Sequence, residues 1–204
     1  QHMHGDSGEG RPLVAVETGD ASSGQKVLVV GCIHGNECAG TAITKRLCTI
    51  RPPRQIDLWV IPNLNPDGAA RNSRGNAHGV DLNRNFPWRW RPLRGVYYSG
   101  PRPLSEPESR IAYRLIERLH PTLSIWFHQH LGLVDESGGS IAIERRFAAL
   151  VGLRLARLTR EPGSVTTWQD NTLGGTAFVV ELGARPLHPA AATRFARGIL
   201  KLTG

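Results

Sequence analysis

The sequence predicts a three-layer α/β sandwich around a mixed, largely parallel central sheet. Two observations carry this expectation. Apolar runs of strand length alternate with amphipathic segments of helical period, and several of those runs are apolar throughout, as in strands covered on both faces. Strands are expected at Leu13–Glu17, Lys26–Cys32, Ile56–Ile61, Thr122–Phe127, Ser140–Ile143 and Thr176–Glu181. Helices are expected at Glu37–Cys48, Ser105–Leu119, Glu144–Leu158 and Pro189–Leu202. Ser105-Glu106-Pro107-Glu108 has the form of a capping box, and Ile111, Leu115, Ile116 and Leu119 repeat at helical spacing. Residues 63–103 differ from the rest, being rich in Gly, Pro, Asn and Arg with little periodicity. A stretch of that length is uncommon in a compact domain unless it builds a site.

A chain of 204 residues, 40% of them apolar, supports one domain with a real core and leaves no room for a second. That domain is placed at 4–204, with Gln1-His2-Met3 read as a cloning remnant. No run of 18 apolar residues occurs, so no membrane span is expected. The formal charge of +8 would suit an anionic partner. Its cations are nearly all arginines, however, with lysine only at 26, 45 and 201, and they are scattered. They read as a solvated surface, and with no nucleic-acid motif in view no nucleic-acid partner is expected. The cysteines at 32, 38 and 48 give no disulfide framework. Cys32 and Cys38 flank one turn and can approach each other, but buried thiols are the expectation.

The chemistry concentrates at strand ends, where α/β sheets place their sites. His34 and Glu37 lie at the exit of the Lys26–Cys32 run. An imidazole and a carboxylate at this spacing suit zinc, whose catalytic sites take three protein ligands and leave one position open. His128 closes Ser124-Ile125-Trp126-Phe127, and Glu181 closes Ala177-Phe178-Val179-Val180. Between them lie Asn65-Pro66-Asp67-Gly68, Arg74 and Gly79-Val80-Asp81-Leu82-Asn83-Arg84-Asn85-Phe86. With these blocks in this order the chain resembles the zinc carboxypeptidase family of the carboxypeptidase A type, over roughly residues 5 to 185. Within the family it is most similar to the small bacterial murein peptide amidases. The Asp-Leu-Asn-Arg-Asn-Phe block is specific; the His-x-x-Glu pair becomes so in its company.

The resemblance implies a zinc carboxypeptidase-like fold and one Zn²⁺ per chain, held by His34, Glu37 and His128. Asp81 would support His34 through its other ring nitrogen, the alternative being a turn Asp bonded to its own backbone. Glu181 would serve as general base and then general acid, unless it is paired with an arginine. Arg74 would stabilise the oxyanion, with Arg71 as its neighbouring competitor. Asn83 and Arg84 would hold a substrate carboxylate, and Asn85, Phe86 and Pro87 would pack. His130 is not expected as a ligand and has the cleft as its alternative, and Trp168 belongs either there or in the core. One departure stands out: the digestive enzymes carry a mobile Tyr between the last His ligand and the catalytic Glu. The tyrosines here are Tyr97, Tyr98 and Tyr113, all before His128. That favours a peptide or muropeptide substrate of the cell wall, cut between γ-D-glutamate and a diamino acid such as meso-diaminopimelate, outside the cytoplasmic membrane. The other readings are a deacylase of the aspartoacylase and succinylglutamate desuccinylase type, a carboxypeptidase on ordinary peptides, and a wall-binding protein without activity.

Overall fold

The computed structural model describes residues 2–203. Gln1, counted with the remnant, and Gly204, the last residue of the expected domain, lie outside them. The strands are β1 (His2–Asp6), β2 (Pro12–Gly19), β3 (Lys26–Val30), β4 (Asp57–Ile61), β5 (Leu123–Asp135), β6 (Arg154–Ala156) and β7 (Thr176–Gly183). The helices are α1 (Thr41–Leu47), α2 (Pro66–Ala70), α3 (Pro107–Leu119), α4 (Ile141–Val151), α5 (Val165–Thr172) and α6 (Pro189–Thr203). The strands form one sheet in the order β1-β2-β4-β3-β5-β6, with β7 also paired to β5. The β1–β2 and β2–β4 pairings are antiparallel, whereas β4–β3, β3–β5, β5–β6 and β5–β7 are parallel.

Side chains on a strand alternate between faces, and the sheet is filled on both. Val27, Val29, Leu58, Val60, Ile125, Phe127, Phe178 and Val180 pack with Ile43 and Leu47 of α1, Phe147 of α4 and Phe195 and Ile199 of α6. Leu28, Val30, Trp59, Ile61 and Trp126 face the other way, against Leu115 and Ile116 of α3 and Val165 and Trp168 of α5. This alternation positions the chemistry. His128 shares the face of Trp126, and Glu181 follows Phe178 and Val180 on the opposite parity, so both point toward the α3 and α5 side. β5 and β7 pair in register with His128 opposite Glu181. Two parallel strands paired in this register thus deliver an imidazole and a carboxylate side by side.

Several expectations need correction. Ser140–Ile143, read as a strand, is the cap and first turn of α4. The expected helix from Glu37 begins as a 3-10 turn at Cys38–Gly40 and becomes α-helical at Thr41. The helix expected to reach Leu158 stops at Val151, where Gly152 adopts a left-handed conformation, and the chain continues into β6. The capping box does not form: Glu106 is the cap of α3, and Glu108 accepts from the Gly8 amide and Asn76 instead. His2 and Met3 lie in β1, a strand not expected from the sequence, and pair through their backbone with Val16 and Ala15. Cys32 and Cys38 are disulfide-bonded, because the chain doubles back after β3 and brings their Cα atoms to 4.7 Å; Cys48 is free and exposed. Among the described residues, no helix is long and apolar enough to cross a membrane.

Candidate active site

His34 leaves β3 on a tight turn that requires glycine. A Cβ at Gly35 would sit 2.0 Å from the Gly68 carbonyl carbon, so the turn lies directly on α2. Asn65 locks that contact, accepting from the Gly68 amide and donating to the Ile33 and Arg74 carbonyls. The Asn-Pro-Asp-Gly block is therefore scaffold: Asn65 caps α2, and the buried Asp67 accepts from Ser7, the Glu9 amide and Arg11.

His34, Glu37 and His128 meet at one point. Glu37 Oε2 lies 3.0 Å from His34 Nδ1 and 3.2 Å from His128 Nδ1, and the two rings stand edge to face at 4.7 Å. One ligand atom from each residue falls within 4.8 Å of the others. Atoms held about 2.0–2.1 Å from a tetrahedral zinc are about 3.3 Å apart, so the spacing and the N/O chemistry fit that ion. The hydrogen bonding around the histidines suits the same role. His34 Nε2 donates to Asp81 Oδ1 at 2.9 Å, which leaves Nδ1 facing the cluster. Burial opposes charge on His34, but Asp81 and Glu37 outweigh it and raise its pKa. Burial, helped by His34 and Arg74, pushes His128 down to about 4, leaving its imidazole neutral near pH 7. Burial also works against ionised Glu37, yet His128 and His34 hold its carboxyl far below the usual range.

Arg74 braces the group from outside, donating from Nε to Asp81 Oδ2 and from Nη1 to Glu37 Oε1, both at 2.8 Å. Arg71, the competing choice, turns away to pair with Glu9. The remaining site residues line the same cleft: Asn83, Arg84 and Glu181 stand around it with Arg74. Asn83 spends its carbonyl oxygen on the Val165 amide at the start of α5, which leaves its NH₂ for other use. Arg84 is buried, donates from Nη1 to the Asn83 carbonyl, and has an Nε without a hydrogen-bond partner among the described residues. Glu181 is held above the ordinary carboxylate range, first by burial and then by the charge of Glu37. Asn85 ties the Ser99 and Arg102 carbonyls, and Phe86 stacks on Trp168 at 5.6 Å. Trp168 is a core residue, stacked also on Tyr113. His130 is exposed two residues beyond His128 and outside the metal-binding group.

Sequence reasoning missed one wall of the cleft. Thr159, Arg160, Glu161, Ser164 and Thr166 line it, together with Asp135. Arg160 is clamped by the buried Asp135 carboxylate at 2.5 Å and by the Glu136 and Ser137 carbonyls. The only signal available was the loop composition around Glu161-Pro162-Gly163-Ser164. Gly163 matters most there, since it has φ +71° and an added Cβ would lie 2.1 Å from the Arg84 carbonyl oxygen. A left-handed backbone costs a residue with a Cβ about 1–2 kcal/mol, and the collision adds to that. Gly163→Ala is expected to lower the urea midpoint with an unchanged slope and to weaken substrate binding by displacing Arg84. Equal midpoints for the two proteins would refute the close approach.

These observations agree with comparisons to known proteins. The zinc carboxypeptidase family model matches residues 1–134, and the chain belongs to this family. Murein peptide amidase A of Escherichia coli K12 is 32% identical over 143 residues, which cover 62% of this chain and 58% of that protein. Murein peptide amidase A of Vibrio campbellii is 32% identical over 153 residues, covering 67% of this chain and 60% of that one. The chain thus spans about three fifths of the length of these curated relatives. The crystal structure of a murein-tripeptide amidase from Escherichia coli O157 superposes with a TM-score of 0.83 at 27% identity, covering 99% of this chain and 91% of that one. Carboxypeptidase A of Helicoverpa armigera, at 18% identity and a TM-score of 0.84, shares the fold, covering 100% of this chain and 67% of its own.

Proposed function

We propose that this protein is a zinc-dependent peptidase that hydrolyses an amide bond in peptidoglycan stem peptides, the bond between γ-D-glutamate and a diamino acid such as meso-diaminopimelate. The observation that carries the reading is the convergence in one cleft of a His-Glu-His group, a buried carboxylate of raised pKa at Glu181, and the guanidinium groups of Arg74 and Arg84. The likeness to murein peptide amidases supports the substrate class.

Each residue has a role that its surroundings support. His34, Glu37 and His128 would hold the metal, and Asp81 fixes the His34 tautomer. Zinc held there would supply Lewis-acid activation of water and of the scissile carbonyl. Glu181 accepts a proton from the attacking water and returns it to the leaving amine, a task suited to a carboxyl of raised pKa. Arg74 meets the negative charge that develops on the carbonyl oxygen. Arg84 and Asn83 take the carboxylate beside the scissile bond, Arg84 through its planar fork. We place the protein outside the cytoplasmic membrane, a reading supported by the Cys32–Cys38 disulfide, since such bonds persist in oxidising compartments.

The test is a digest of L-Ala-γ-D-Glu-meso-diaminopimelate by the zinc-loaded protein, followed by mass spectrometry. Free diaminopimelate and the dipeptide are the expected products. A counterpart amidated at the α-carboxylate should react roughly ten to a hundred times more slowly, the worth of a charge-assisted pair. Turnover of N-acyl amino acids or of ordinary peptides, with no turnover of the tripeptide, would overturn the reading in favour of a deacylase or a general carboxypeptidase.

A further inference from the structure

We propose that Tyr97 is a positioning residue of the carboxylate site, its ring holding the Arg84 guanidinium in place for the substrate carboxylate where it packs beside Arg74. This rests on the stem-peptide reading above. The ring centroid lies 5.2 Å from Arg74 Cζ and 5.4 Å from Arg84 Cζ. Both distances are within the reach of a cation–π contact, and both cations line the cleft.

Two guanidinium groups meeting at one site repel each other, and the negative face of an aromatic ring offsets that repulsion. Arg74 has anchors of its own in Asp81 and Glu37. Arg84 has less: one bond to the adjacent Asn83 carbonyl, a partnerless Nε, and the Glu161 carboxylate 4.0 Å away. The ring is therefore a principal restraint on the Arg84 fork. The sequence around Tyr97 is built to hold it there. Gly95–Tyr97 forms a single 3-10 turn, closed by the Tyr98 amide on the Gly95 carbonyl. The Asp81 amide donates to the Tyr98 carbonyl at 2.8 Å, and the next carbonyl, that of Ser99, accepts from Asn85 and Trp90. The loop is thus pinned to the segment that carries Asp81 and Arg84. Tyr97 nevertheless remains 49% exposed and its neighbour Val96 68% exposed. A side chain in the core has no such open face; this ring packs on two cations and leaves the rest of its surface exposed.

The experiment compares Tyr97→Ala, Tyr97→Leu and Tyr97→Phe with the wild-type zinc enzyme on the free-acid and amidated tripeptides. Ala and Leu are expected to raise KM for the free acid roughly five- to tenfold, with kcat changed less than about threefold and KM for the amide unchanged. Phe, which keeps the ring, should restore the wild-type KM. An unchanged KM, an equal rise on both substrates, or failure of Phe to rescue would overturn the proposal. A second readout does not depend on the substrate: in ¹H–¹⁵N spectra the Arg84 Nε resonance should carry a ring-current shift that Phe preserves and Leu removes. If wild-type protein leaves both tripeptides intact, the stem-peptide reading has failed. The Arg84 resonance then still decides the role of Tyr97, and an identical shift in the Leu variant would sink it.

Discussion

Glu181→Gln is expected to retain zinc and the wild-type melting temperature while losing nearly all turnover. The amide matches the carboxylate in shape, so the packing at the end of β7 and the contact from the Leu131 amide to Oε2 at 3.4 Å are kept when the amide oxygen takes that place. What disappears is the capacity to accept a proton. General-base catalysis typically contributes about 10²–10⁴-fold, and the loss should appear in kcat, because the variant leaves Arg84, the proposed carboxylate site, untouched. The surroundings of Glu181 explain why the effect should be large. Burial and the Glu37 charge raise its pKa, which brings it closer to the optimum for taking a proton and giving it back near neutral pH. The assignment fails if a zinc-loaded Glu181→Gln enzyme turns over at a rate near that of wild type.

Much of this site was legible because its residues end apolar runs. Strand parity follows from the sequence, so a His after Ser124-Ile125-Trp126-Phe127 and a Glu after Ala177-Phe178-Val179-Val180 could be placed at the carboxyl ends of buried strands. The pairing of His128 with Glu181 could not, because register belongs to the sheet. Ser140–Ile143 misled because a short apolar run has no period of its own to separate a strand from the first turn of a helix. Helix α5 was missed because its eight residues include Thr166, Thr167, Gln169 and Asp170, which mask the packing of Val165 and Trp168. The disulfide depended on a chain reversal that spacing alone does not show. The wall formed by Thr159, Arg160 and Glu161 lacks a motif for a different reason: it faces the cleft, where no pattern of burial dictates residue type.

His128→Ala is expected to lower zinc occupancy strongly and to abolish activity with it. The variant removes one of three donors and leaves His34 and Glu37, a pair with two open coordination positions where a tetrahedral catalytic zinc site has one. The replaced side chain is buried, so part of the cost falls on the fold; metal analysis after dialysis against a weak chelator separates the two effects, with melting curves taken in parallel. The exposed His130 provides the control. His130→Ala should keep stoichiometric zinc, since the metal-binding group is complete without it. Asp81→Asn should fall between them. Its amide can still face His34 but brings a donor to Nε2, which favours the wrong tautomer, and it gives up the charge that holds Arg74. Loss of such a supporting carboxylate typically costs about 10–100-fold in metal affinity. The expected order of zinc retention is therefore wild type and His130→Ala, then Asp81→Asn, then His128→Ala. Wild-type affinity in His128→Ala would remove it from the ligand set, and loss of zinc in His130→Ala would put the second histidine of β5 in its place.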